Sequence, residues 1–148
     1  MGKHDNTSIV KQICGLRYRF RPTAEQADLL VRTFGCGRFV VNRMIEERSR
    51  RWREERRGMS YNDMSALLTE WKKLPEFAWL NEVSCVPLQQ KLRHLERGYQ
   101  RFFKWCRNRK GPKIGHPRFM KKRERQSAEF TTSAFGWDGR TLTMAKSR

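Results

Sequence analysis

Acidic residues are scarce in this chain of 148: 15 Asp and Glu stand against 33 Lys and Arg, giving a formal charge of +18 and a pI near 10.8. So few carboxylates leave the cations without enough internal partners, which implies a polyanion, with nucleic acid first and an acidic membrane surface second. Long apolar runs are absent too, and no stretch approaches a membrane span. The polar opening Lys3-His4-Asp5-Asn6 excludes a secretory signal, and Asn6 stands where a myristoylation site has Ser or Thr. Cysteine is limited to Cys14, Cys36, Cys85 and Cys106, far apart and without a C-x-x-C pair, and the three histidines are scattered. A clustered zinc site is therefore excluded and no cofactor is expected; the thiols read as reduced, in a cytosolic protein, with Cys14 and Cys106 on apolar faces. No internal repeat is visible.

What is there begins at residue 13. Cys14, Leu16, Tyr18 and Phe20 alternate with Arg17, Arg19 and Arg21, the period of a half-buried strand over 13–21 whose outer face is a row of guanidinium groups. Pro22 stops it. Thr23-Ala24-Glu25-Gln26 forms a capping box that opens a helix expected to end at Gly35. A turn at Gly35-Cys36-Gly37 leads to a second helix from about Arg38 to Arg57, with a stripe of Val41, Met44, Ile45 and Trp52. The arginines of 48–57 are interleaved with glutamates at helical spacing and read equally well as self-satisfying pairs.

Ser60 and Asp63 cap a third helix that runs to about Lys73 before Pro75, and the apolar run 76–80 tucks against the helices. A fourth helix starts near Ser84 with Pro87 in its first turn. Its stripe of Leu88, Leu92, Leu95, Tyr99, Phe102 and Cys106 reads as core, and Gln89, Gln90, Lys91, Arg93, Arg97, Arg101 and Lys104 face outward. From Lys104 to Arg125 ten basic residues meet the single acid Glu124 in a loop broken by Gly111-Pro112 and Gly115-His116-Pro117. Ala128, Phe130 and Thr132 alternate with Glu129 and Thr131, and Asp138-Gly139 turns the chain into Thr141–Met144, a β-hairpin. Among the aromatics, Phe119, flanked by Arg118, Lys121 and Lys122, is the better base-stacking candidate.

The runs Leu16–Gln26, Phe34–Asn42, Trp79–Val83, Leu88–Glu96, Tyr99–Phe103 and Gly115–Lys122 follow one another in an order that resembles the N-terminal region of insertion-sequence OrfB/TnpB-type transposases, often labelled a helix-turn-helix domain. The resemblance implies an RNA-guided DNA endonuclease family. It also implies an α+β build, with a helical recognition bundle (23–109) inserted after the first strand of an incomplete oligonucleotide-binding-like β-barrel (13–22 and 110–148, with the basic loop), after a disordered 1–12. In that family a RuvC-like nuclease with an acidic triad holding two metal ions, and a four-cysteine zinc ribbon, follow further on. Neither pattern is found up to Arg148, so binding of guide-type RNA and DNA without cleavage is expected, in the cytoplasm at the nucleoid. Ser84-Cys85 and Pro87 depart from the family pattern.

Carried over by position, Tyr61, Ser65 and Gln89 approach the short duplex motif beside the target, and Thr131 and Thr132 face the same duplex. A Gln at a helix start suits adenine edges. Nucleic-acid contact is expected from Arg17, Arg19, Arg21, Arg38, Gln90, Arg93, Arg97 and Arg101, and from Lys113, Arg118, Lys121, Lys122 and Arg123 of the loop, with Phe119 as the stacking residue. A stand-alone helix-turn-helix DNA-binding protein is the alternative.

Overall fold

The computed structural model describes residues 11–146, so the expected disorder of 1–12 falls almost wholly outside the described residues. Helix α1 runs Ala24–Glu55. Its start is the expected box: the Gln26 N–H donates to Thr23 Oγ1 at 3.2 Å, and the Thr23 N–H donates to Gln26 Oε1 at 3.1 Å. It stops where Arg56 turns left-handed, with φ of 53°. Helix α2, Tyr61–Lys73, has the matching Ser60–Asp63 box, and Pro75 opens a 3₁₀ helix over Pro75–Glu82. Helix α3, Cys85–Asn108, is capped by Ser84 and ends at left-handed Arg109. Strands β1 (Phe135–Trp137) and β2 (Leu142–Met144) pair antiparallel, Phe135 opposite Met144. The fold is α+β in this plain sense: helix-rich, with one two-stranded sheet among the described residues.

Gly35-Cys36-Gly37 is not a turn. The buried positions of α1 (Leu29, Thr33, Cys36, Gly37, Val40, Val41, Met44, Ile45, Arg48) keep helical phase straight through it. Neither Gly35 nor Gly37 has a positive φ, and a Cβ would meet nothing within 4 Å at Gly35 and only Lys91 carbons at 3.6 Å at Gly37. Two helical glycines cost roughly 1 kcal/mol each relative to alanine, and the burial of this stripe outweighs them. The stripe does not reach Trp52, which is 55% exposed; the core layer ends at Arg48.

The core lies where α1, α2 and α3 meet, around Met44, Met64, Leu88 and Leu92, and Leu80 of the 3₁₀ helix closes it. Within it the Arg48 guanidinium donates to Glu96 at 2.9 Å and lies 3.8 Å from the Tyr99 ring centre. Arg48 is thus an interhelical pin, not a member of the surface charge run.

The first expected strand does not form. Residues 13–21 have no ladder partner among the described residues and are exposed, Cys14 included, with Ile13 97% and Leu16 72% accessible. Alternation specifies an extended shape, but a strand also needs a neighbour's N–H and C=O groups. The hairpin forms later than expected, at 135–137 and not 128–132. The Asp138 carboxylate accepts the N–H groups of Arg140 (2.8 Å) and Thr141 (2.6 Å), which sets the register from the turn outward. Residues upstream are diverted into a turn closed by Ala134 N–H to the Thr131 carbonyl.

Candidate nucleic-acid interface

Arg97, Arg101 and Lys104 project from the solvent face of α3 at spacings of four and three, so they lie one above another. They line a groove of about 470 Å³ with His94 and Gln100. A contiguous groove of about 560 Å³ runs between α3 and the basic loop, where Arg101 and Lys91 face Lys113 across Gly98 and Pro117. The described residues form no ion pair with Arg101, Lys104 or Lys113. Glu124, the loop's acid, accepts the Lys121 backbone N–H at 3.4 Å and forms no ion pair among the described residues.

The loop is held against the helices at defined points. The Asn42 side chain of α1 accepts the Met120 N–H at 2.7 Å and donates to the Met120 carbonyl at 3.0 Å. Pro117 packs on Gly98, where a Cβ would come within 3.5 Å of its ring. Gln126 donates to the carbonyls of Lys121, Lys122 and Glu124 at 3.2, 3.3 and 2.7 Å. A backbone fixed this way presents Arg118, Phe119, Lys121, Lys122 and Arg123 exposed, with none of these cations in an ion pair among the described residues. Lys91 is the exception: burial pushes its ammonium below the usual lysine range, and Nζ reaches Ser127 Oγ at 3.4 Å.

The remaining expected residues fall into separate groups. Arg93 stacks over Tyr61, 4.2 Å from the ring centre, tying α3 to the first residue of α2, and Ser65, Gln89 and Gln90 are half-buried. Arg97 also touches His94 at 3.1 Å, and His94 pairs with Glu129. Arg38 is half-buried on α1. Arg19 and Arg21 line a cleft of about 640 Å³ against the hairpin, with Phe20, Phe135, Trp137 and Arg140, and Tyr18 meets Trp137 at 5.7 Å between ring centres. Arg17 is exposed on the same segment. Thr131 is half-buried and bonds Ser133 at 3.1 Å within its own turn, and Thr132 is exposed. The structure therefore gathers Arg97, Arg101 and Lys113 into one surface, and leaves Thr131 and Thr132 in a different turn.

Two positioning residues escape sequence reasoning. Asn42 sits among apolar and basic neighbours with no pattern to mark its reach across 78 positions. Gln26, beyond its cap, donates to the Leu142 carbonyl at 2.9 Å and ties the hairpin to the start of α1.

Residues 13–57 match the family model of a helix-turn-helix domain of the OrfB insertion-sequence type. A protein of Streptomyces pristinaespiralis named "Putative RNA-guided DNA endonuclease" is 50% identical over 131 residues, which cover 88% of this chain and 31% of that protein. A second, "Putative RNA-guided DNA endonuclease InsQ" of Escherichia coli K12, is 31% identical over 113 residues, covering 76% of this chain and 26% of its own length. The chain thus spans about a third or less of the curated relatives it matches, and the resemblance read from its motifs holds. Within the matched segment the structure has one continuous helix, preceded by an extended stretch, so no angled second helix arises between 24 and 55.

Proposed function

Starting from a chain that carries the insertion-sequence helix-turn-helix domain and is similar to part of RNA-guided DNA endonucleases, we propose that it is the nucleic-acid-binding module of a transposase-like protein of that kind. It grips guide-type RNA together with DNA and does not itself cut. The observation that carries this reading is the row Arg97–Arg101–Lys104, of which Arg101 and Lys104 form no ion pair among the described residues, beside Lys113 of a loop pinned by Asn42. Each phosphate seated there releases condensed counterions, so affinity is dominated by the backbone and falls steeply with salt. Many of the acids have other duties: Asp63 caps α2, Glu96 holds Arg48, Glu47 and Glu54 hold Arg50, and Asp138 makes the hairpin turn.

The extended segment 13–21 and the hairpin are read as unfinished barrel strands. Their support is the alternating apolar side chains left in solvent and the cleft where Tyr18 and Phe20 face Phe135 and Trp137. Further chain or a partner supplies the missing ladder. Such a module acts in the cytoplasm at the nucleoid. The stand-alone helix-turn-helix alternative is the weaker reading, because the continuous α1 offers no recognition helix set off by a turn.

The test is fluorescence anisotropy with a structured RNA hairpin and with duplex DNA. The combined Arg97→Glu, Arg101→Glu and Lys113→Glu variant is expected to lose at least about tenfold in affinity for RNA at moderate salt. Unchanged affinity, or binding to duplex DNA alone, contradicts the RNA-gripping assignment.

A further inference from the structure

On the flank of α3 opposite the basic row, the end of α1 and the second half of α3 enclose a further cleft of about 450 Å³ with walls that are overwhelmingly apolar. We propose that it captures one unpaired nucleobase of a single strand; this rests on the reading of the chain as a nucleic-acid binder, but on a different surface from the phosphate grip.

Trp52 and Phe103 form its lips, 55% and 45% exposed, and Phe102 and His116 meet edge-on at 5.4 Å inside it. Trp52 continues the apolar stripe of α1 beyond the last core layer, so an indole face that folding leaves wet is available to a planar ligand. Tyr99 lines the wall, is 3% exposed, and its hydroxyl is buried without a hydrogen-bond partner. Burial also holds that hydroxyl protonated, above the usual tyrosine range.

Charge selects the occupant. Arg53 and Arg57 stand at the mouth, neither in an ion pair among the described residues, while Arg48 in the wall is already matched by Glu96. No acid lines the cleft. An apolar slot with a cationic rim fits a flat ring attached to an anion, which is a nucleotide: the base enters between the aromatics and its phosphate meets the arginines. A duplex keeps its bases stacked and cannot use the slot.

The 148-residue chain is titrated with short single strands carrying one 2-aminopurine, made as RNA and as DNA to assign the source of the strand, and with a blunt RNA hairpin whose loop is an ethylene-glycol linker without bases. Binding is expected to change the 2-aminopurine emission. Trp52→Ala and Phe103→Ala are each expected to weaken single-strand affinity about tenfold, with hairpin affinity within about twofold, and Trp52→Phe to retain most of it. Both lips are exposed, so each variant is expected to keep the parent's circular dichroism spectrum, which is recorded alongside. The loss is expected to persist at high salt, unlike that from charge variants of the α3 row.

Single-strand affinity unmoved by both alanine variants overturns the proposal; a protein segment as the cleft's real occupant would give that result. So does an equal loss on the hairpin. Intact hairpin binding with inert lips sinks only this slot, whereas no binding to any nucleic acid sinks the phosphate grip as well.

Discussion

The helical body (24–108) and the segment that follows it (109–146) are both rich in cations, but only the body holds some of them in internal ion pairs, its α3 row aside, and the segment holds none of its own that way among the described residues. In the body, Arg50 is shared by Glu47, Glu54 and Glu55, Arg32 by Asp28 and Glu82, and Arg48 is buried against Glu96. In the following segment the basic side chains from Lys113 to Arg125 are exposed and form no ion pair among the described residues; what holds the backbone is neutral, namely Asn42, Gln126 and Pro117. A cation with an internal partner contributes to folding and has little left for a ligand. One held out by uncharged contacts contributes little to folding and keeps its field for a polyanion.

Substitutions that cross this division sharpen it. The largest effect is expected at the buried pair: Glu96→Ala strands Arg48 in the core and costs about 3 kcal/mol in urea unfolding, whereas Lys122→Ala in the loop stays within about 0.5 kcal/mol. A similar cost at both would erase the contrast. Next, Asn42→Ala removes both hydrogen bonds to Met120 and is expected to cost about 1–2 kcal/mol, with faster proteolysis between 113 and 125. A loop equally protected in the variant would mean that other contacts hold it.

Smaller, and opposite in sign, Gly35→Ala is expected to stabilise by up to about 1 kcal/mol, because nothing lies within 4 Å of its Cβ position in a continuous helix. Destabilisation would restore the turn. Smallest is the acid limb. The Ser60 N–H and hydroxyl hold the Asp63 carboxyl below its ordinary value of 3.8. A depressed folded-state pKa gives stability that is fully present above the unfolded value and is lost as pH falls through the folded one. Asp63→Asn is therefore expected to lower thermal stability slightly in the neutral range and to flatten its decline below about pH 4, where parent and variant converge. An acid limb identical to that of the parent chain would show that the cap carries no charge.

The helical body was largely legible because its signals are local. Thr23 with Gln26, Ser60 with Asp63, Pro75 and Ser84 mark their own boundaries, and the α3 stripe from Leu88 to Tyr99 marks its own face. Misreadings arose where a local rule met a longer one. Glycine as punctuation lost to a buried stripe that never changes phase across Gly35 and Gly37, and the same stripe, extended to Trp52, overran the actual core. Segment 13–21 has strand alternation, but pairing is a property of two segments and its own residues cannot supply the second. The cationic character of 104–125 was plain from composition. That Arg101 and Lys113 share a groove was not, since it depends on Asn42 reaching residue 120.

The most direct measurement is the slope of log affinity against log salt for a structured RNA, compared between two variants of equal charge change. One replaces Lys113, Arg118, Lys121 and Lys122 by Gln; the other replaces Arg32, Arg43, Arg50 and Lys73, all paired within the helices, by Gln. The first is expected to flatten the slope by roughly 2–3 and the second by less than about 0.5. Equal slopes for the two variants would contradict the division of labour between paired and unpaired cations.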